Sequence, residues 1–198
     1  MNYLAHIYLS ENLPLVSIGN FIADGIRGKS YTNYPKPIQT GILLHRHIDS
    51  YTDSHATVKQ STKKLHANYH HYSGVIVDIF YDHFLAKNWG SYCDIPLDIY
   101  AQNFYNLLED QYDILPERTQ NMLPYIKQGN WLVSYASLDG IAQVLSGMNR
   151  RTRFKSNMDQ SITELQEYYS EFENEFTSFF EDLRQTSHQK LKSLLTNI

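Results

Sequence analysis

The chain has 198 residues, 42% hydrophobic and 19% charged, which excludes a disordered or collagen-like chain and suffices for one compact domain with its own core. A formal net charge of −4 excludes a general nucleic-acid-binding field, so any basic contact surface has to be local. The one cysteine, Cys93, excludes an internal disulfide and a cysteine zinc cluster, and with no leader and no run of roughly 20 apolar residues a cytoplasmic chain without a membrane partner is expected.

Leu15, Ile18, Phe21, Ile22 and Ile26 recur three or four apart and predict an amphipathic helix that stops at Gly28. Asp24 falls inside this apolar stripe, where an isolated carboxylate needs a partner or a metal. A second helix is predicted after Pro35 and Pro37, because proline suits a first turn and is excluded later. It carries Ile38, Ile42, Leu43 and Ile48, and its His45, Asp49 and Asp53 stand four apart, stacked on one face a turn from each other. A third helix runs through Val75, Ile76, Ile79, Phe80 and Leu85 after Gly74. Its Asp78 and Asp82 share a face, and His83 sits about 100° round from Asp82, so the adjacent carboxylate and imidazole can reach one ion.

A fourth helix is predicted over 97–112, with Pro116 and Pro124 punctuating the segment beyond it. Leu165, Tyr168, Tyr169, Phe172, Phe176, Phe179, Phe180 and Leu183 then line one side of a long C-terminal helix. Glu164, Glu167, Glu171 and Glu175 occupy its other faces as a solvated surface. With no strand alternation and no internal repeat, the expected class is all-α: one domain over 1–198, with a metal-site half at 1–90 and a helical remainder at 91–198.

Chemistry concentrates early in the chain. His6, His45, His47, His55 and His83 share the span that holds Asp24, Asp49, Asp53, Asp78 and Asp82. Imidazoles with carboxylates suit manganese, iron, magnesium or zinc, and the lack of thiolates weighs against a purely structural zinc site. The same residue types also populate any water-facing helix side, so the residues alone leave a hydrolytic metal centre and a solvated face both open. The apolar neighbours of Asp24 and Asp82 favour the former. His66, His70, His71 and His188 read as surface residues.

Four ordered motifs carry a resemblance: Met1-Asn2-Tyr3-Leu4-Ala5-His6, Gly19-Asn20-Phe21-Ile22-Ala23-Asp24, Gly41-Ile42-Leu43-Leu44-His45-Arg46-His47-Ile48-Asp49 to Thr52-Asp53, and Tyr81-Asp82-His83-Phe84-Leu85-Ala86 to Trp89. Together with Trp131-Leu132-Val133 and Leu145-Ser146-Gly147-Met148 to Arg151, they are similar to the acyl carrier protein phosphodiesterase family. The resemblance implies an HD-domain-like helical bundle that hydrolyses the phosphodiester between 4′-phosphopantetheine and the carrier-protein serine, with manganese the favoured ion. His47 stands where the family pattern has a second Arg, which leaves His45 the stronger candidate. Asp82-His83 inverts the His-Asp pair of HD enzymes.

The roles expected on that basis place Asp24, His45, Asp82 and His83 around the metal, with Asp49 and Asp78 as further ligands or orienting carboxylates. His6 is a ligand or proton donor, and Arg46 a neutraliser of phosphate charge or a surface residue. Arg150, Arg151, Arg153 and Lys155, grouped around Phe154, are either a docking patch for the acidic carrier protein or a solvated turn. An HD-type phosphatase acting on a nucleotide or other small phosphate ester, and a non-catalytic helical binding module, are the alternative readings.

Overall fold

The aromatic spacing of the C-terminal segment organises the packing. The structure, a computed structural model, describes residues 1–196, and every regular element among them is helical. The helices are α1 (Tyr3–Tyr8), α2 (Pro14–Ile22), α3 (Lys36–Ser54), α4 (Ala56–Tyr69), α5 (Ser73–Lys87), α6 (Leu97–Asp110), α7 (Glu117–Gln128), α8 (Trp131–Ser134), α9 (Leu138–Arg151), α10 (Ile162–Glu167) and α11 (Tyr169–Thr196). Phe172, Phe176, Phe179 and Phe180 of α11 are fully buried; the first three meet Phe80, Tyr81 and Phe84 of α5 through ring contacts, and Phe180 meets Tyr8 of α1 and Tyr92. Aromatic burial of this kind supplies the largest apolar areas in a core. Because α11 also packs on α3 and α4, the end of the chain is clamped against its first half. No helix among the described residues is long and apolar enough to cross a membrane.

The bundle with its long last helix is the architecture the sequence predicts, with local departures. The first predicted helix ends at Ile22; Ala23–Gly25 tightens into a 3-10 turn and the backbone is extended at Ile26. Asp24 therefore sits on an exposed turn instead of in an apolar stripe. Pro124 lies inside α7 without ending it. The C-terminal helix is interrupted at Tyr168, which separates α10 from α11. Glu175 is not solvated: it is 8% exposed, accepts a hydrogen bond from Ser61 Oγ at 2.5 Å, and pairs with the Lys64 ammonium. A buried carboxylate has to be compensated in this way.

Helices α2 and α3 cross in direct backbone contact. A Cβ placed on Gly41 would lie 2.1 Å from the Val16 carbonyl oxygen, and one on Gly19 would lie 2.2 Å from the Ile38 carbonyl oxygen. Only glycine lets the two backbones touch, and that contact holds Asn20 against His45, which stands one turn beyond Gly41. Gly41→Ala should therefore destabilise the protein by about 2 kcal/mol, since backbone cannot yield as a side chain would. A thermal midpoint unchanged from wild type would show that the helices can part freely.

Candidate metal centre

Three segments converge on one point. His6 comes from α1, His45 and Asp49 from successive turns of α3, and Asp24 from the turn after α2. His45 Nε2 lies 3.0 Å from Asp49 Oδ2 and 3.2 Å from Asp24 Oδ1, and His6 Nε2 lies 3.2 Å from Asp49 Oδ1. The two imidazoles stack with centroids 4.0 Å apart. One ligand atom each from His6, His45 and Asp49 falls within 4.8 Å of the others, close enough to share an ion.

Asn20, which sequence reasoning assigned no role, fixes both rings. Its Nδ2 donates to the His6 carbonyl oxygen at 2.7 Å and to Ser10 Oγ at 3.0 Å, which leaves Oδ1 to accept from His6 Nδ1 at 2.8 Å. Its backbone carbonyl accepts from His45 Nδ1, also at 2.8 Å. With its proton held on Nδ1, the neutral His6 turns its Nε2 lone pair toward Asp49, whereas His45, set between Asp24 and Asp49, holds a second proton on Nε2 that an ion would displace. The His6 Nε2 is buried without a hydrogen bond, although the Asp49 oxygen is near, because it lies off hydrogen-bond geometry. A lone pair facing a carboxylate calls for a cation between them, and two imidazoles with two carboxylates are a donor set that suits a divalent ion. A signal for Asn20 existed in the sequence: an amide fully buried between Gly19 and Phe21 has to satisfy its donors and acceptor locally.

The titration behaviour matches that arrangement. Burial, with the charge of His45 beside it, lowers the His6 pKa to about 4, so His6 is neutral at pH 7. Burial also disfavours a charged His45, but the hydrogen bonds and charges of Asp24 and Asp49 outweigh it and raise the pKa to about 9. Asp49 is held well below the usual carboxylate range: burial opposes ionisation, and the nearby imidazoles of His45 and His6 more than offset it. Asp24 is lowered chiefly by its hydrogen bond to His45. A raised imidazole contributes stability that is fully present below about pH 6.5 and is lost as pH rises through about 9. Metal-free protein should therefore lose on the order of 1 kcal/mol across that window, discounted for the exposure of Asp24, while His45→Gln should not. Thermal unfolding in chelator at pH 6.5 and 9.5 measures the difference, and identical slopes for the two proteins would contradict the pairing.

Other expected site residues are occupied elsewhere. His83, 2% exposed, donates from Nδ1 to the Tyr135 carbonyl at 2.7 Å and accepts at Nε2 from the Tyr169 hydroxyl at 2.7 Å, so neither nitrogen is free for an ion. Asp82 is fully buried and accepts the backbone N–H groups of Asn2, Leu4 and Ala5 at 3.2, 2.7 and 3.3 Å. It anchors the start of α1, where the unpaired N–H groups and the helix dipole favour a carboxylate. Asp78 pairs with the Met1 ammonium at 2.7 Å. Arg46 donates to the carbonyls of Ile26 and Gly28 at 3.0 and 2.8 Å and lies over the Tyr31 ring, which fastens the loop behind Asp24.

The His-Asp cluster opens into a cleft of about 700 Å³ whose lining also includes Tyr3, Asp53, Asp78, Trp131 and Met148. Arg118, Arg150 and Arg151 line it as well, whereas Arg153 and Lys155 lie outside it on the exposed turn after α9. Arg118 and Tyr3 line the cleft although sequence reasoning gave neither a role; Arg118 lies outside every motif, and Tyr3 stands in the first of them with only His6 singled out.

Residues 1–183 match the family described as acyl carrier protein phosphodiesterase. Among curated relatives, the acyl carrier protein phosphodiesterase of Pectobacterium atrosepticum is 33% identical over 93% of this chain and 96% of its own. Those of Yersinia pestis and Klebsiella pneumoniae strain 342 are 31% and 32% identical, each over 96% of this chain and at least 99% of their own. No solved structure matches the chain.

Proposed function

The chain belongs to the acyl carrier protein phosphodiesterase family, and from that membership we propose that it hydrolyses the phosphodiester joining 4′-phosphopantetheine to the carrier-protein serine, as a metal-dependent enzyme that converts holo- to apo-carrier protein. The observation that carries the metal dependence is the buried, unpartnered His6 Nε2 facing Asp49 beside His45. His6, His45, Asp49 and Asp24 would hold one divalent cation, manganese by family resemblance, with magnesium, iron and zinc as the alternatives. This set replaces Asp82 and His83 with His6 and Asp49. Bound there, the ion supplies Lewis-acid polarisation of a phosphoryl oxygen and acidifies a water.

The chain's own residues supply the rest. Asn20 keeps both imidazoles in one tautomer and orientation, Asp82 holds α1 and with it His6, and Arg46 secures the loop of Asp24. Net hydrolysis adds water across the bond between phosphorus and the serine oxygen, leaving a serine hydroxyl and a phosphomonoester. The lone cysteine and the helices, none of them a membrane span, suit a cytoplasmic site of action.

The carrier protein would dock at the mouth of the cleft. There the turn after α9 presents Arg153 and Lys155 with Phe154 67% exposed between them, and carrier proteins of fatty-acid synthesis present acidic helices. Incubation of manganese-loaded protein with holo-carrier protein, read by intact mass, should show loss of the phosphopantetheine group; an unchanged mass would overturn the reading. Reversing Arg153 and Lys155 to Glu should raise KM for the carrier protein about tenfold at low salt and leave cleavage of a small phosphodiester unchanged. Arg151 is unsuitable for this test, because it lines the cleft and would meet both substrates.

A further inference from the structure

Across the cleft from the His-Asp cluster stands a cationic wall. Arg118, in the first turn of α7, and Arg151, the last residue of α9, both line the cleft. Among the described residues neither guanidinium forms an ion pair with a carboxylate; Arg151 donates to Met148 Sδ at 3.5 Å and also reaches the Tyr3 hydroxyl. Elsewhere the protein uses its carboxylates to compensate cations, as at Lys64, Lys87, Lys127 and Arg184. Arg150, which also lines the cleft, donates to Ser146 Oγ at 3.2 Å, so three guanidiniums without a carboxylate partner share one concavity of a net-negative chain, a setting suited to an anion.

Tyr3 adds a hydroxyl to the same cleft. It stands one turn before His6 on α1. Tyr3, Asp24, Arg118 and Arg151 line one cleft, and the charges of the carboxylate and of the two arginines both act on the Tyr3 phenol, which burial raises. Its hydroxyl can donate to an oxygen held by the guanidiniums while the cluster holds the reacting side of the same group.

We propose that Arg118, Arg151 and the Tyr3 hydroxyl form a phosphoryl subsite that prefers a phosphomonoester dianion to a phosphodiester monoanion. A diester offers two non-bridging oxygens and one charge, whereas a monoester offers three acceptor oxygens and nearly two charges. Two forked guanidiniums and a phenol match the second better. The inference rests on the proposed hydrolysis only to identify the natural occupant: cleavage turns the bound diester into a monoester in place, so the product is held more tightly than the phosphoryl group of the substrate. Inhibition by free phosphomonoesters follows.

The test uses inorganic phosphate and the full chain without metal, by titration calorimetry. Phosphate should bind wild type, and Arg118→Gln and Arg151→Gln should each weaken binding by about tenfold or more, with Arg118→Lys recovering part of the loss. Both arginines are exposed, so folding should survive, and far-ultraviolet circular dichroism checks it. With manganese-loaded protein, phenyl phosphate should inhibit carrier-protein cleavage at lower concentration than methyl phenyl phosphate. Equal binding by wild type and both Gln variants, or equal inhibition by the two esters, would overturn the subsite. Phosphate binding by a protein that leaves holo-carrier protein intact would uphold the subsite and overturn the proposed hydrolysis.

Discussion

Asp49→Ala should abolish metal loading at micromolar manganese and lower hydrolysis of holo-carrier protein by roughly 10³-fold, while His83→Ala should leave metal loading unchanged. The first expectation follows from position. Among the described residues Asp49 is the carboxylate that faces both imidazoles, at 3.2 Å from His6 Nε2 and 3.0 Å from His45 Nε2, so removing it takes away a ligand both rings share. Lewis-acid assistance of several kcal/mol corresponds to about three orders of magnitude in rate. The second expectation follows from occupancy: both nitrogens of His83 are already bonded, to Tyr135 and Tyr169. Losing them should reduce stability by about 2 kcal/mol through the unsatisfied carbonyl and hydroxyl they leave, without touching the ion. Metal content by atomic emission, measured beside initial rates, separates the two variants. If His83→Ala lost its metal and Asp49→Ala kept it, the centre would lie with the Asp82-His83 pair instead.

The His45 and Asp49 half of the candidate centre was legible because it obeys a local rule: residues four apart on a helix stack on one face, and α3 realises that spacing directly. Asp82 and His83 were singled out by the same local reasoning. Local spacing shows that two side chains neighbour each other but not what lies opposite, and opposite them stand the start of α1, Tyr135 and Tyr169. The apolar surroundings of Asp82 correctly required compensation, but backbone N–H groups provide it. Asp24 reached the cluster through a turn in place of the predicted helix. Arg118 and Tyr3 could not be found from spacing, since they meet the cluster only through the packing of α1, α7 and α9 around the cleft. The helical class was visible throughout, because a 3.6-residue apolar period survives every local error in boundaries. Besides the short α1 and α8, the helices α4, α7 and α9 escaped naming; the buried face of α4 carries Val58, Ser61, Leu65 and Tyr69, too thin a stripe to stand out.

Asp82→Ala should be the most destabilising single change near the site, by about 4 kcal/mol, or a fall in thermal midpoint of roughly 10 °C for a chain of this size. Its carboxylate is fully buried and accepts three N–H groups at the start of α1, none of which has a partner within the helix. Burial pushes its pKa up, while the Met1 ammonium and those N–H groups pull it back, so the carboxylate and the helix start sustain each other. Alanine would leave the three donors without their acceptor and free a helix of only six residues, too short to hold together alone. Because α1 carries Tyr3 and His6, hydrolysis should fall with it even though Asp82 touches no ion. His45, Asp49 and Asp24 are positioned by α2 and α3, which do not depend on that anchor, so raising the manganese concentration should restore metal binding in the variant. Saturating manganese should thus recover metal content but only part of the rate. A variant whose metal content stays at zero in millimolar manganese, with its circular dichroism intact, would instead make Asp82 a ligand.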